Sequence, residues 1–244
     1  MNIFLKVIKY PWLVPLWDRY QGPDPNTPEY SKQGSKNPRC GGTIIASRFV
    51  ITAAHCLFME NPDTKVVIGR KMPNQIAIRI GDYNLASWIS AGDTGLEKFV
   101  NVKEIHVHDY YPLKDNWVGQ SLNNPLLYNF DVAILELEED INLNVYRPAC
   151  LPKDSDGKTF DGKDLTFAGW GLIPAPYTFQ KPYLPNVPYE VVLNGIENCQ
   201  NYPFPWLFCA SFYEDRSRSP CRVSSVETAF IADRMSLKVT LGNP

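Results

Sequence analysis

Residues 40–56 read CGGTIIASRFVITAAHC. Ile44, Ile45, Phe49, Val50 and Ile51 are β-branched or aromatic, and Ser47 and Arg48 interrupt them. The segment therefore predicts two short buried strands joined by a turn. Cys40 and Cys56 bracket this hairpin, and a bridge between them would close a loop of about 16 residues, worth roughly 3 kcal/mol in the chain-entropy account. It would also fix the backbone beside the imidazole of His55. A lone histidine among apolar residues is ordinarily a core or strand histidine. One pinned by its neighbour is held as a catalytic base has to be.

The rest of the chain agrees with a β protein. At 244 residues it can bury a sizeable core, and a β-sandwich or double barrel of this length counts as one domain. Its 21 prolines and 13% aromatic content suit a loop-rich β fold better than a helical bundle or a disordered chain. A formal net charge of −2 and the lack of a basic block argue against nucleic acid as the main partner. No stretch approaches the roughly 18 apolar residues of a transmembrane helix. Six cysteines without a Cys-x-x-Cys or a His/Cys cluster predict bridges rather than metal ligands, and an oxidising compartment. The start, MNIFLKVIKY, is not a cleavable signal peptide by pattern, because Lys6 and Lys9 interrupt its apolar core.

Beyond Leu16 a polar, proline-bearing loop leads to Cys40 and belongs on the surface. Thr64–Ile68 and Gln75–Ile80 carry strand signatures that would extend a first barrel. Val100–His108 is a further strand, and its alternation slips at Glu104 and Ile105, which predicts a bulge. His106 and His108 lie on one face of it, as surface histidines without a third ligand. Asp82 is a single carboxylate in a solvated loop, short of the six or more oxygens that calcium takes. Asp131 heads the run FDVAILEL, residues 130–137, in which Val132, Ile134 and Leu135 are the predicted core. An acid entering an apolar strand needs a partner.

The TAAHC string ending at Cys56, preceded by CGGTII, closely resembles the histidine motif of the chymotrypsin and trypsin family of serine proteases. The run led by Asp131 resembles the family's aspartate motif. YPWLV at 10–14 resembles its opening strand, RPACLP at 147–152 its inter-barrel linker, and TFAGWG at 166–171 the start of its second barrel. CQNYPFPWLFCA, residues 199–210, resembles a disulfide-closed loop beside the substrate pocket. The likeness spans about Tyr10 to Cys221. It implies an all-β fold of two six-stranded antiparallel Greek-key barrels, the first over about residues 10–146 and the second over about 150–221. The second barrel is read as incomplete, with a divergent tail over 222–244. The resemblance further implies bridges Cys40–Cys56 and Cys199–Cys209, and would pair Cys150 with an upstream segment and Cys221 with a cysteine of the final strands. As these two lie towards opposite ends of the second barrel, beyond the roughly 7 Å Cα separation a disulfide spans, two bridges and two free thiols are expected in a folded monomer. In the family a cleavable site lies just upstream of the opening strand; here the start reads as truncated.

By the same resemblance His55 is the general base and Asp131 accepts its Nδ1 proton, fixing the tautomer that frees Nε2 for a nucleophile. The implied substrate is a protein or peptide, with a protease inhibitor or a cascade protein as partner. No cofactor, metal, nucleic acid or membrane is implied. Secretion and a monomer are expected.

The nucleophile segment departs from the pattern. The family has a cysteine, any residue, then GDSGGP; this chain has CRVSSVETAF from Cys221. Ser225 falls on the nucleophile's place, but Val223, Ser224, Val226, Glu227 and Thr228 replace its neighbours. β-branched residues resist the positive φ of such a turn, and one lost oxyanion donor costs roughly 3–4 kcal/mol of transition-state stabilisation. Ser224 and Glu227 also form a capping-box pattern, so the same stretch reads alternatively as the start of a helix through Val226, Ala229 and Phe230. Ser219 leaves the implied specificity pocket uncharged, Leu165 stands in a cysteine's place, and the family's SWG strand is missing. Three classes follow: an impaired serine endopeptidase, a non-catalytic homologue that binds within a protease cascade, or a defective product.

Overall fold

A computed structural model describes residues 9–19, 38–61, 63–85, 96–115, 118–121, 130–151, 163–171, 185–196, 209–211 and 227–229. Their regular secondary structure is strand, apart from two single 3-10 turns. The N-terminal part of the chain supplies β1 (Leu13–Asp18), β2 (Cys40–Ala46), β3 (Phe49–Thr52), β4 (Phe58–Glu60), β5 (Val67–Arg70), β6 (Ile76–Ile80), β7 (Lys98–Val107) and β8 (Ala133–Leu137). Six of these close an antiparallel barrel in the order β1-β2-β3-β8-β7-β6. The second half supplies β9 (Asp164–Gly169), β10 (Tyr189–Ile196), β11 (Cys209–Ser211) and β12 (Glu227–Ala229), an antiparallel sheet ordered β11-β10-β9-β12. The all-β, barrel-containing class expected from the sequence is what forms.

The barrel closes because its strands alternate inward and outward. Val14, Leu16, Ile44, Val50, Ile78, Ile80, Val100, Leu135 and Leu137 fill its interior. β6 is buried on both faces: its isoleucines point into the barrel, while Ala77 joins Leu13, Trp17, Ala168 and Trp170 in a second cluster between the barrel and β9. Gly42 is required where β2 crosses the interior, since a Cβ there would lie 2.8 Å from both Leu16 and Val50.

Several sequence expectations shift. β1 runs on to Asp18 with Trp17 buried, so the polar loop begins later than Leu16. β5 begins at Val67 and pairs with β4 outside the barrel. The preceding Asp63 and Thr64 belong to a turn whose amides donate to the Asn61 side chain at 2.9 and 3.0 Å. The β7 irregularity sits between Val102 and Glu104, slightly earlier than the pattern suggested. On β8 the inward set is Ala133, Leu135 and Leu137; Leu135 is core as expected, whereas Val132 and Ile134 are only partly buried, and Ala133 and Leu137 take the inward places instead. The helix reading beyond Ser224 is overturned, because the backbone of Glu227–Ala229 is a strand paired with Phe167–Gly169 of β9. Asp82 is not solvated: its carboxylate is buried 3.2 Å from the Arg79 guanidinium.

Candidate active site

Strand β3 ends at Thr52, whose hydroxyl donates to the Gly41 carbonyl at 2.7 Å. Ala53 and Ala54, both buried, then lead into a 3-10 turn, Ala54–Leu57, on which His55 sits. Small residues fit here because the turn packs against the barrel wall. Cys56 is bonded to Cys40 across a Cα separation of 6.1 Å, within the range a disulfide spans. This is the bridge the spacing and the family resemblance anticipated. Its thiols are thereby consumed, so Cys40, His55 and Cys56 do not form a metal site although their ligand atoms cluster.

Asp131 approaches from the other side. Phe130 adopts φ +53°, the left-handed region that costs a bulky residue energy, and Val132 N–H donates to the Phe130 carbonyl at 2.7 Å. The three-residue turn so formed projects Asp131 ahead of β8 towards His55. Oδ1 accepts the His55 backbone amide at 2.8 Å, and Oδ2 lies 2.7 Å from His55 Nδ1. The Asp131 side chain is 3% exposed and that of His55 22%. A buried carboxylate at that distance accepts a hydrogen bond from Nδ1–H, so the neutral ring keeps its proton on Nδ1 and carries its free lone pair on Nε2. The arrangement orients an imidazole whose Nε2 faces a partly open surface and is placed to accept a proton.

Aromatic residues surround the pair. The rings of His108 and Phe130 stack at 4.8 Å, and Tyr110 tilts against Phe130 at 5.5 Å. Tyr111 is buried beside Phe58, and its hydroxyl has no hydrogen-bond partner among the described residues. Burial, with the Asp131 charge adding to it, pushes the Tyr111 hydroxyl well above the ordinary tyrosine range.

Of the remaining sequence candidates, Ser225, Ser219, Cys199 and Cys221 lie outside the described residues. Cys150 is exposed and is a free thiol, as expected. His106 and His108 face outward on either side of the buried Val107 and line one cleft, as the sequence reading had them; His108 stacks on Phe130, and His106 Nε2 lies 3.7 Å from Glu136 and 4.0 Å from Glu104. Further ligand-type groups therefore do flank His106, contrary to the sequence reading. Glu104 is exposed, while Glu136 is partly buried and already paired with Lys103 at 2.7 Å. The sequence reading missed Lys71, a buried ammonium beside the His55 turn. Nothing in GRKMP distinguishes it from a surface lysine, since its partners are distant in sequence.

A family model described as Trypsin matches residues 24–222. Venom serine protease 34 of Apis mellifera is 29% identical over 168 residues, covering 68% of this chain and 34% of that protein. CLIP domain-containing serine protease B10 of Anopheles gambiae is 30% identical, over 58% of this chain and 36% of the relative. Chymotrypsin-like elastase family member 1 of Macaca fascicularis is 30% identical, over 67% of this chain and 52% of the relative. The chain thus spans between about a third and a half of the length of these relatives.

Proposed function

Because the chain belongs to the trypsin family of serine proteases, we propose that it is a serine endopeptidase with a formed acid–base pair and an impaired nucleophile segment. The observation that carries this is the two-point contact of Asp131 with the amide and ring of His55. In the intact reaction, Ser225 Oγ attacks the substrate carbonyl carbon while its proton passes to His55 Nε2. The imidazolium then returns that proton to the leaving amine, the C–N bond breaks, and water releases the acyl group by the same route. Val223 and Val226 beside Ser225 oppose the tight turn that would aim amides at the oxyanion.

The protein as it stands is expected not to react with a fluorophosphonate probe. Replacing Val223→Gly, Ser224→Asp, Val226→Gly and Glu227→Gly together is expected to gain labelling that Ser225→Ala abolishes. Labelling of the parent that disappears in Ser225→Ala would overturn the impairment. A glycine-restored variant that stays silent would favour the second reading, a non-catalytic homologue binding a protein of a protease cascade. The replaced neighbours of Ser225 are that reading's support. Secretion fits the Cys40–Cys56 disulfide, which persists in oxidising compartments.

A further inference from the structure

The turn that presents His55 is clamped at its back by a charge that the acid–base chemistry leaves unused. Lys71 follows β5, yet its side chain runs inward and is 5% exposed. Its Nζ donates to the Cys56 carbonyl at 2.8 Å and to the Asp18 carboxylate at the end of β1. Its backbone N–H donates to the Leu57 carbonyl, also at 2.8 Å. The Phe58 N–H donates to the His55 carbonyl. All three carbonyls from His55 to Leu57 are therefore occupied, two of them by Lys71 alone. At the front, Asp131 holds the His55 amide.

These contacts define the rotation of the turn. Short 3-10 turns have poor internal hydrogen-bond geometry and take the orientation that outside partners impose. This one carries no side-chain N-cap. Burying an ammonium is costly unless it is paired and hydrogen-bonded. Asp18 supplies the counter-charge and itself faces Arg39 at 3.9 Å. An apolar side chain would fill the same space at less cost, so the ammonium's distinctive contribution is its hold on the Cys56 carbonyl.

We propose that Lys71 is a positioning residue for the His55–Asp131 pair, fixing the turn from behind so that Asp131 spans both the amide and Nδ1 of His55. This rests on His55 being the base of the reading above. It does not require Ser225 to be reactive, so its test uses the pair itself.

The test follows the downfield His55 Nδ1 proton by NMR in the full chain, with Lys71→Met, Asp18→Asn and, as a control for plain destabilisation, Val102→Ala in the core of β7. Lys71→Met is expected to lose the resonance or to speed its exchange with water at least about tenfold, through easier local opening. Asp18→Asn moves it the same way by less. Val102→Ala lowers the melting temperature and leaves the resonance in place. Parental shift and exchange in both Lys71→Met and Asp18→Asn overturn the proposal, as does an equal effect in Val102→Ala at matched destabilisation. Should Lys71→Met not fold, an unchanged Asp18→Asn spectrum overturns it. A parent without the resonance overturns the pair and its positioning together. A glycine-restored variant that resists the fluorophosphonate while Lys71→Met still shifts the resonance defeats only the peptidase reading.

Discussion

Asp131 holds His55 through two different atoms, accepting the backbone amide on Oδ1 at 2.8 Å and facing ring Nδ1 with Oδ2 at 2.7 Å. The first contact fixes where the turn is, and the second fixes which nitrogen carries the proton. A single carboxylate thus couples the fold to the chemistry. It is delivered by the left-handed backbone of Phe130, a strain of the kind that persists where the surroundings over-determine it.

Asp131→Asn separates the two contacts. The amide oxygen still accepts from His55 N–H, which turns the NH2 group towards Nδ1. Nδ1 must then accept, and the ring proton moves to Nε2. Nitrogen chemical shifts of the imidazole are expected to report this tautomer switch with the fold retained. In any variant that a fluorophosphonate labels, the rate is expected to fall by about four orders of magnitude, as loss of the orienting acid does in the template triad. An unchanged tautomer would count against the assignment.

Removing the bridge tests the frame around the base. Cys40 and Cys56 are 1% and 3% exposed, so alanine is the fitting replacement for both. Their loop spans a sequence separation of 16, and opening it is expected to lower the unfolding free energy by about 3 kcal/mol. Urea denaturation of the Cys40→Ala/Cys56→Ala protein measures this. A midpoint equal to the parent's would mean the disulfide constrains nothing.

The frame was legible in sequence where pattern and chemistry coincide. Alternating β-branched residues around Ser47 and Arg48 announced the hairpin, and His55 and Asp131 stood in motifs specific enough to be read singly. Burial phase was less legible. In FDVAILEL, apolar residues occur at consecutive positions, so period two does not choose between Val132/Ile134 and Ala133/Leu135 as the inward set; pairing of β8 with β3 and β7 makes that choice. Partners of charges were invisible for a different reason. Lys71 meets Asp18 and Cys56, which are 53 and 15 residues away in sequence.

Asp82 is a second charge that only tertiary structure could place. The Arg79 and Asp82 side chains are 6% and 0% exposed and lie 3.2 Å apart, with the guanidinium 5.8 Å from the Phe99 ring centroid. Asp82→Ala removes the carboxylate partner of a buried cation and is expected to cost up to about 3–5 kcal/mol. The joint change Arg79→Met/Asp82→Leu is expected to recover most of that loss, since a packed apolar pair replaces the ions. Calcium is expected to leave the parent's melting temperature unmoved, because this carboxylate is engaged by Arg79. Thermal melts of both variants, and of the parent with calcium, decide it; Asp82→Ala melting with the parent would refute the account.

The Lys71 ammonium also sets a pH dependence whose sign is fixed. Burial is the largest influence on it and drives its pKa below the ordinary 10.5, with Asp18 pulling back less strongly. In the interval between the lowered folded value and 10.5, the unfolded chain still binds a proton that the folded chain has released. More protons bound in the unfolded state mean that stability rises with pH across that interval. Below it both states are protonated, and the cost of the buried charge is constant. Tyr111 acts oppositely, since its raised pKa makes unfolding easier as alkaline pH ionises the exposed phenol. That contribution is common to the parent and Lys71→Met and cancels in their difference. The unfolding free energy of the parent minus that of Lys71→Met is therefore expected to grow as pH is raised towards 10.5, measured by urea denaturation at a series of alkaline pH values. A difference that stays flat or shrinks would mean that Lys71 is not held as a desolvated ammonium behind the His55 turn.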